Sequence, residues 1–310
     1  MSPRIRAAVI GAGYLGRFHA LKYASMPEVE LVAVVDVDAG RAAAVAKETN
    51  TQALVDYRPL LGQIDCASVA VPTPLHCSLA TDLLLAGVDV LVEKPLTVTA
   101  AEGRQLVDLA RQHGRILQVG HLERFNPALQ AVRRILTEPR FVECHRLGPF
   151  VERGSDVDVV LDLMIHDLDV LLSLVPSEVE HVEAVGVPVL SPHIDIANAR
   201  LRFTNGCIAN LTASRVALKR ERKLRLFQAD TYVALDYGER HIRIVRRIVD
   251  NGTPRIDVEE LALGEADPLY AEIDHFLHCV RTRERPLVDG ATALRALEVA
   301  EKIRTGMLTA

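Results

Sequence analysis

The sequence predicts an α/β protein, with a doubly wound parallel sheet of the Rossmann kind followed by an α+β domain built on a large, mostly antiparallel sheet. Three observations predict it. A glycine loop, Gly11-Ala12-Gly13-Tyr14-Leu15-Gly16, follows an apolar run and opens a helical one. Apolar runs then alternate with helical segments as far as residue 119. From residue 179 the pattern changes to successive strands, with Asn205-Gly206 and Asn251-Gly252 as turn signals between them.

Residues 4–10 read as a buried strand, and 14–25 as a helix in which Leu15, Phe18, His19 and Lys22 recur at helical spacing. The run 29–35 is a second strand, ending against Asp36. An alanine-rich helix over 39–49 follows, then strand 66–71, helix 75–86, strand 88–92, helix 99–113 and strand 116–119. Short strands separated by helices of about 10–15 residues require parallel pairing with crossovers. A chain of 310 residues suggests about two domains. The change of pattern divides it into a first domain over 1–121 and a second domain over 122–310.

Composition narrows the function. The formal net charge is −5, which gives no electrostatic reason to bind nucleic acid. No apolar run approaches the ~18 residues of a membrane span, and Ala7-Ala8-Val9-Ile10 is too short for a signal-peptide core. The five cysteines are odd in number, scattered and never spaced CxxC. That argues against a disulfide framework and a zinc knuckle, and points to the reducing cytoplasm.

The glycine loop has a physical purpose in this context. Gly11 permits the tight turn out of the strand. Gly13 lets a pyrophosphate approach the backbone beside Tyr14 and Leu15. Gly16 lets the helix pack closely, so that its free N–H groups meet the phosphates. Asp36, twenty residues beyond Gly16, would accept from the adenosine ribose hydroxyls. Its carboxylate would repel a 2′-phosphate, which favours NAD over NADP; Arg41 is the one residue that weighs the other way. A plain glycine turn is the alternative. Val71-Pro72-Thr73-Pro74-Leu75-His76 lies at the carboxyl end of a strand, where such sheets bind ligands. This stiff loop has few donors, so Val71, Pro72, Thr73 and His76 suit the nicotinamide side, a simple proline turn being the other possibility. Glu93-Lys94-Pro95 ends the next strand in the same position, an unusual place for a merely solvating lysine.

In the second domain, 126–136 reads as a helix entered by Asn126-Pro127, followed by strand 142–147 and a polar stretch over 148–158. The helix 161–175 is apolar around most of its circumference. Asp162, His166, Asp169 and Ser173 fall at i, i+4, i+7 and i+11, making one narrow polar stripe. Such a stripe faces a polar cavity or is hydrogen-bonded internally. Asp162 and His166, one turn apart, can touch, and the carboxylate would orient the imidazole and raise its basicity. A structural pair remains open. Metal binding is not expected, because the stripe offers too few ligands. Strands follow over 179–187, 194–203, 207–214, 222–228, 231–236, 240–249 and 255–261, and helices over 268–281 and 291–305.

Together, the glycine loop, the acid after the second strand and Glu93-Lys94-Pro95 resemble the glucose–fructose oxidoreductase / inositol dehydrogenase / MocA family over essentially the whole chain. The resemblance implies hydride transfer between a nicotinamide cofactor and a sugar or cyclitol hydroxyl. It makes Lys94 the catalytic lysine and Glu93 part of the cofactor site. It matches Asp162 and His166 to the aspartate and histidine of the family's active-site helix. His166 is then the general base and Lys94 the partner of the reacting oxygen, with exchange of the two roles open. It also implies a substrate-binding second domain whose sheet joins subunits, in a homodimer or homotetramer.

Within the family, the run from Gly120 to Pro127, and Arg153 and Asp156 ahead of the active-site helix, resemble members acting on nucleotide sugars, the UDP-N-acetylglucosamine 3-dehydrogenase group above all. Arg124, Asn126 and Arg153 join Lys94, Asp162 and His166 as candidate substrate contacts. Asp156-Val157-Asp158-Val159 stands where the family usually has a glycine pair. A dehydrogenase of a free sugar or cyclitol, and a dinucleotide-binding regulator without turnover, are the alternatives.

Overall fold

A computed structural model describes residues 3–151, 157–250 and 253–309. The chain forms two units. The first comprises Met1–Phe125 and Asp267–Arg295, the second Asn126–Ala266 and Ala296–Ala310. Where the sequence pattern suggests one boundary at 121/122, the chain thus returns to the first unit.

In the first unit, strands β1 (Ile5–Ile10), β2 (Val29–Val35), β3 (Gln52–Leu54), β4 (Cys66–Val69), β5 (Asp89–Glu93) and β6 (Leu117–Gly120) form a sheet in the order β3-β2-β1-β4-β5-β6. Every pairing is parallel. Helices α1 (Tyr14–Ser25), α2 (Ala39–Thr49), α3 (His76–Leu85) and α4 (Ala100–Gln112) make crossovers. Their starts are chemically marked. Asp38 caps α2 by accepting from Gly40 and Arg41 N–H. Thr99 and Glu102 form a reciprocal capping box on α4.

Alternate strand residues serve opposite faces. Ala8, Ile10, Val90 and Val92 pack with Leu83 of α3 and Leu106 of α4. Ala7, Val9, Cys66 and Leu91 pack with Tyr23 of α1 and with Ile273, Phe276 and Leu277. Those last three belong to α7 (Pro268–Thr282), which closes this face. Hydrogen bonds fix the return: Gln118 Nε2 donates to the Glu272 carbonyl at 3.0 Å. Arg283 Nη2 donates to Asp89 Oδ1 at 3.1 Å and to the Gly114 carbonyl at 2.7 Å.

Among the described residues the second unit has nine strands. They are β7 (Phe141–Leu147), β8 (Val179–Val187), β9 (Ile196–Phe203), β10 (Ile208–Ser214), β11 (Glu221–Gln228), β12 (Thr231–Asp236), β13 (His241–Asp250), β14 (Thr253–Ala262) and β15 (Met307–Thr309). Their order is β14-β13-β12-β11-β7-β10-β9-β8-β15. Among the described residues, only the β7–β10 and β8–β15 pairings are parallel. Burial alternates along β9, β10 and β12, as a sheet with one covered face requires. The covering layer is α5 (Pro127–Ile135), α6 (Ile165–Leu174) and the later turns of α8 (Gly290–Gly306).

The sequence predicts one α-helix over 161–175. Instead Val160–Met164 is a π-helical turn leading into α6. Asp158 starts it, accepting from Val160 and Leu161 N–H through Oδ1 while Arg304 Nε donates to Oδ2 at 2.5 Å.

Candidate active site

In the first unit the strand order reverses direction between β1 and β4, the switch point at which open α/β sheets bind ligands. The glycine loop leaves β1 there. Gly11 has φ +101°, a left-handed backbone that favours glycine. A Cβ at Gly16 would stand 1.7 Å from the Gly11 carbonyl oxygen, so only glycine lets α1 approach. At Gly13, the N-cap of α1, a Cβ would meet nothing within 4 Å. The loop is therefore closed below and open above, as a pyrophosphate cradle at a helix N-terminus must be. Beside it Leu15 is half-buried and Tyr14 is exposed.

Asp36 follows β2 and accepts from Ala12 N at 2.8 Å and Asp38 N at 2.9 Å. Arg41 Nη2 donates to it at 3.0 Å. Burial pushes the Asp36 carboxyl up, but the N–H groups of Asp38 and Ala12 and the Arg41 guanidinium outweigh it and hold it below its ordinary value. It is an anion at neutral pH, able to accept further hydrogen bonds from a ribose diol.

Beyond β4, Val71 is half-buried, Pro72 exposed and Thr73 buried. His76, the first residue of α3, is buried and both ring nitrogens face carbonyls: Nδ1 lies 2.8 Å from Pro95 O and Nε2 2.9 Å from Val71 O. It braces two loops from within rather than presenting a nitrogen to the loop surface. Glu93, the last residue of β5, is buried and contacts His19 Nε2 through Oε1 at 2.9 Å. Lys94 is half-buried, one residue past β5, and joined to Pro95 by a cis peptide. Arg124 is buried in the short 3₁₀ turn after β6.

In the second unit, Asp162 lies in the π-helical turn and His166 in the first turn of α6. Both are half-buried, on an element whose apolar residues are almost all fully buried. Of the remaining stripe, Asp169 is buried and Ser173 donates to the Val170 carbonyl at 2.6 Å. π-Helical turns inside helices recur at functional sites, and this one changes the phase between Asp162 and His166. Asn126 accepts from Ala128 N at 3.0 Å and caps α5. Arg153 lies outside the described residues.

Sequence reasoning missed Asp167. It is buried beside His166, and Arg146 on β7 holds it by Nε at 3.1 Å and Nη2 at 2.9 Å. The signal was a charged residue on the apolar side of the stripe. It also missed His19, which registered only as a helix-spaced residue.

Residues 5–121 match the family described as oxidoreductase family, NAD-binding Rossmann fold, and residues 133–231 match the GFO/IDH/MocA C-terminal domain. The UDP-N-acetylglucosamine 3-dehydrogenase of Acidithiobacillus ferrooxidans is 38% identical over 98% of this chain and 97% of its own. The chain belongs to the GFO/IDH/MocA oxidoreductase family. A solved structure of that Acidithiobacillus enzyme superposes with a TM-score of 0.93, covering 98% of this chain and 97% of that one. The scyllo-inositol 2-dehydrogenase (NAD(+)) of Bacillus subtilis is 26% identical over 99% of this chain and 96% of its own. As a member of the GFO/IDH/MocA family, the protein is an oxidoreductase whose first unit is an NAD-binding Rossmann domain. Among the described residues, no helix is long and apolar enough to cross a membrane.

Proposed function

We propose that this protein oxidises a secondary alcohol of a nucleotide sugar, the 3-hydroxyl of UDP-N-acetylglucosamine. The observation that carries this is Lys94, a half-buried cation at the carboxyl end of β5, one strand from the switch point where the glycine loop leaves the sheet. The likeness to the Acidithiobacillus enzyme over nearly the full length of both chains supports the substrate.

NAD, when bound, supplies the acceptor for the carbinol hydride. Gly11, Gly13, Tyr14, Leu15 and Gly16 hold its pyrophosphate, Asp36 its ribose diol, and the Val71–His76 loop with Glu93 and Lys94 borders its nicotinamide end. Lys94 donates a hydrogen bond to the reacting oxygen and offsets the negative charge that develops there. His166 takes the hydroxyl proton, and Asp162 orients the imidazole or holds a neighbouring hydroxyl. Arg124, Asn126 and Arg153 contact the diphosphate or sugar. The five free cysteines support a reducing, cytoplasmic setting. The accessible face of the second sheet carries Phe141, Phe227 and Tyr232, with ring centroids 5.5 and 4.8 Å apart along the row. This aromatic strip supports assembly of copies through that face, in a dimer or tetramer that light scattering would measure.

The test is NAD reduction against a panel of UDP-sugars, free sugars and cyclitols. Turnover of UDP-N-acetylglucosamine is expected, with kcat lower by about 10²–10³-fold in Lys94→Ala and by about 10²-fold or more in His166→Ala. Full activity in Lys94→Ala removes the lysine from the mechanism. Dinucleotide binding with no turnover of any compound replaces the enzyme with a regulator. Gly13→Ala should fold normally, since its methyl meets no protein atom, yet lose NAD affinity because the methyl stands where the pyrophosphate must approach.

A further inference from the structure

Lys94 stands between two residues that buried histidines hold, and the reaction just described uses neither histidine. His19 lies on α1, one turn beyond Gly16. Its Nε2 is 2.9 Å from Glu93 Oε1 and its Nδ1 3.0 Å from Ser68 Oγ. Ser68 Oγ is in turn 2.8 Å from the Tyr23 hydroxyl. All four side chains are buried. The contacts allow one continuous chain in which Tyr23 donates to Ser68, Ser68 donates to His19 Nδ1, and His19 Nε2–H donates to the Glu93 carboxylate. Burial pushes the Glu93 carboxyl up, but the His19 hydrogen bond and nearby positive charge bring it below its ordinary value, so it is the anion this chain needs. The other oxygen of that carboxylate accepts from Lys94 N at 3.3 Å. Gly120 pairs with Glu93 across the sheet and leaves it room; a Cβ there would stand 3.0 Å from the carboxylate.

On the far side of Lys94, His76 contacts the Pro95 carbonyl through Nδ1 and the Val71 carbonyl through Nε2. Burial holds this imidazole below its ordinary value; a neutral ring has one N–H, which donates to one of the two carbonyls, and the shorter contact is Nδ1 to Pro95.

We propose that His19 and His76 are positioning residues for Lys94. His19 fixes the residue before it through the Glu93 carboxylate. His76 fixes the residue after it through the Pro95 carbonyl. The second nitrogen of His19 ties this grip to β4 at Ser68. A lysine has a long flexible stem, so its ammonium can be placed only if its backbone is fixed. The inference rests on the assignment of Lys94 to the reacting oxygen.

Asparagine and glutamine separate this from simple core filling. The amide nitrogen of asparagine falls where Nδ1 was, that of glutamine where Nε2 was. Gln at 19 keeps the Glu93 contact and Asn loses it, whereas at 76 Asn keeps the Pro95 contact and Gln loses it. The expected result, on the best substrate of the panel, is crossed rescue. His19→Asn and His76→Gln lower kcat by about 10–100-fold, as a misplacement near 1 Å does, with KM for NAD changed less than about 3-fold. His19→Gln and His76→Asn recover most of that loss. Losses that follow melting temperature, or that fall equally on both substitutions at a position, overturn the proposal. Ser68→Ala is the milder lesion for a position that does not tolerate change: it deletes the donor to His19 Nδ1, and an unchanged kcat overturns the His19 arm. Lys94→Ala separates the two failures. If it turns over normally, the assignment of Lys94 is wrong. If it is inactive while His19→Asn and His76→Gln match the unmodified protein, only the positioning role falls.

Discussion

In the six-stranded sheet β4, β5 and β6 are buried along their whole length, whereas in the nine-stranded sheet buried and accessible positions alternate from β9 to β12. Polar residues on the first sheet therefore have nowhere to go but into partners. Ser68 and Glu93 meet His19, Asp89 meets Ile116 N–H and Arg283, and Gln118 donates to the Glu272 carbonyl. On the second sheet the accessible face carries cross-strand ion pairs in contact with water, such as Arg225 with Glu143 and Arg243 with Glu260. The same residue types thus do different work. In the first sheet they fix geometry near the candidate site, and in the second they solvate a face.

Substitutions can break that contrast. The largest effect is expected at Asp89. Asp89→Ala leaves the buried Ile116 N–H without its acceptor and takes the carboxylate from Arg283, which keeps the Gly114 carbonyl, and should cost about 2–3 kcal/mol in urea unfolding. A loss under about 0.5 kcal/mol would mean that buried polar groups here are not structural. Next is Asp195, the counter-example in the second unit. It is fully buried and accepts from Val189, Leu190 and Ser191 N–H and from Arg215. Burial pushes its carboxyl up, but Ser191, Arg215 and the N–H groups overwhelm that and hold it far below the ordinary aspartate value. A depressed folded value stabilises above the unfolded value of about 3.9 and is lost as pH falls through the folded one. Asp195→Asn should cost about 2 kcal/mol at neutral pH and flatten the fall in stability below about pH 4. A parallel pH curve would assign that fall elsewhere.

Smaller changes follow on accessible groups. Glu143→Ala should cost about 1 kcal/mol or less, since its pair with Arg225 is in contact with water. At Arg41, where one half-exposed guanidinium faces Asp36, Arg41→Ala should widen the preference for NAD over NADP by about two- to fivefold. A narrowed preference would mean that Asp36 does not set the choice.

The sequence displayed the first sheet almost strand by strand, because continuous apolar runs bounded by helices have one reading. It did not display β3, whose three residues Gln52–Leu54 carry no period. Eight of the second sheet's strands were visible as runs between turn signals, but not β15, three residues after the last helix, and β7 lying in its middle, parallel to β10, depends on pairing between remote segments. The return of α7 was hidden for the same reason: an apolar stripe does not say which sheet it covers. Within the candidate site, Lys94 and the Asp162/His166 spacing were legible as motifs. The π-helical turn was not, since five residues cannot distinguish its period from that of an α-helix. The Arg146–Asp167 pair was not either, because its partners are 21 positions apart.

The return of residues 267–295 also bears on how the molecule is made. Tyr23, Cys66 and Ile116 share a cluster with Ile273, Phe276 and Leu277, and Arg283 reaches back 194 positions to Asp89. A ribosome that has produced the glycine loop and all six parallel strands has still not produced the helix that seals one side of them. Until it does, the part of that apolar face that α1 and α2 do not cover stays open to chaperones and to other nascent chains. The dinucleotide-binding unit, first to be synthesised, is thus among the last parts able to finish folding, and a chain halted before α7 would be marked for removal by the surface it leaves uncovered.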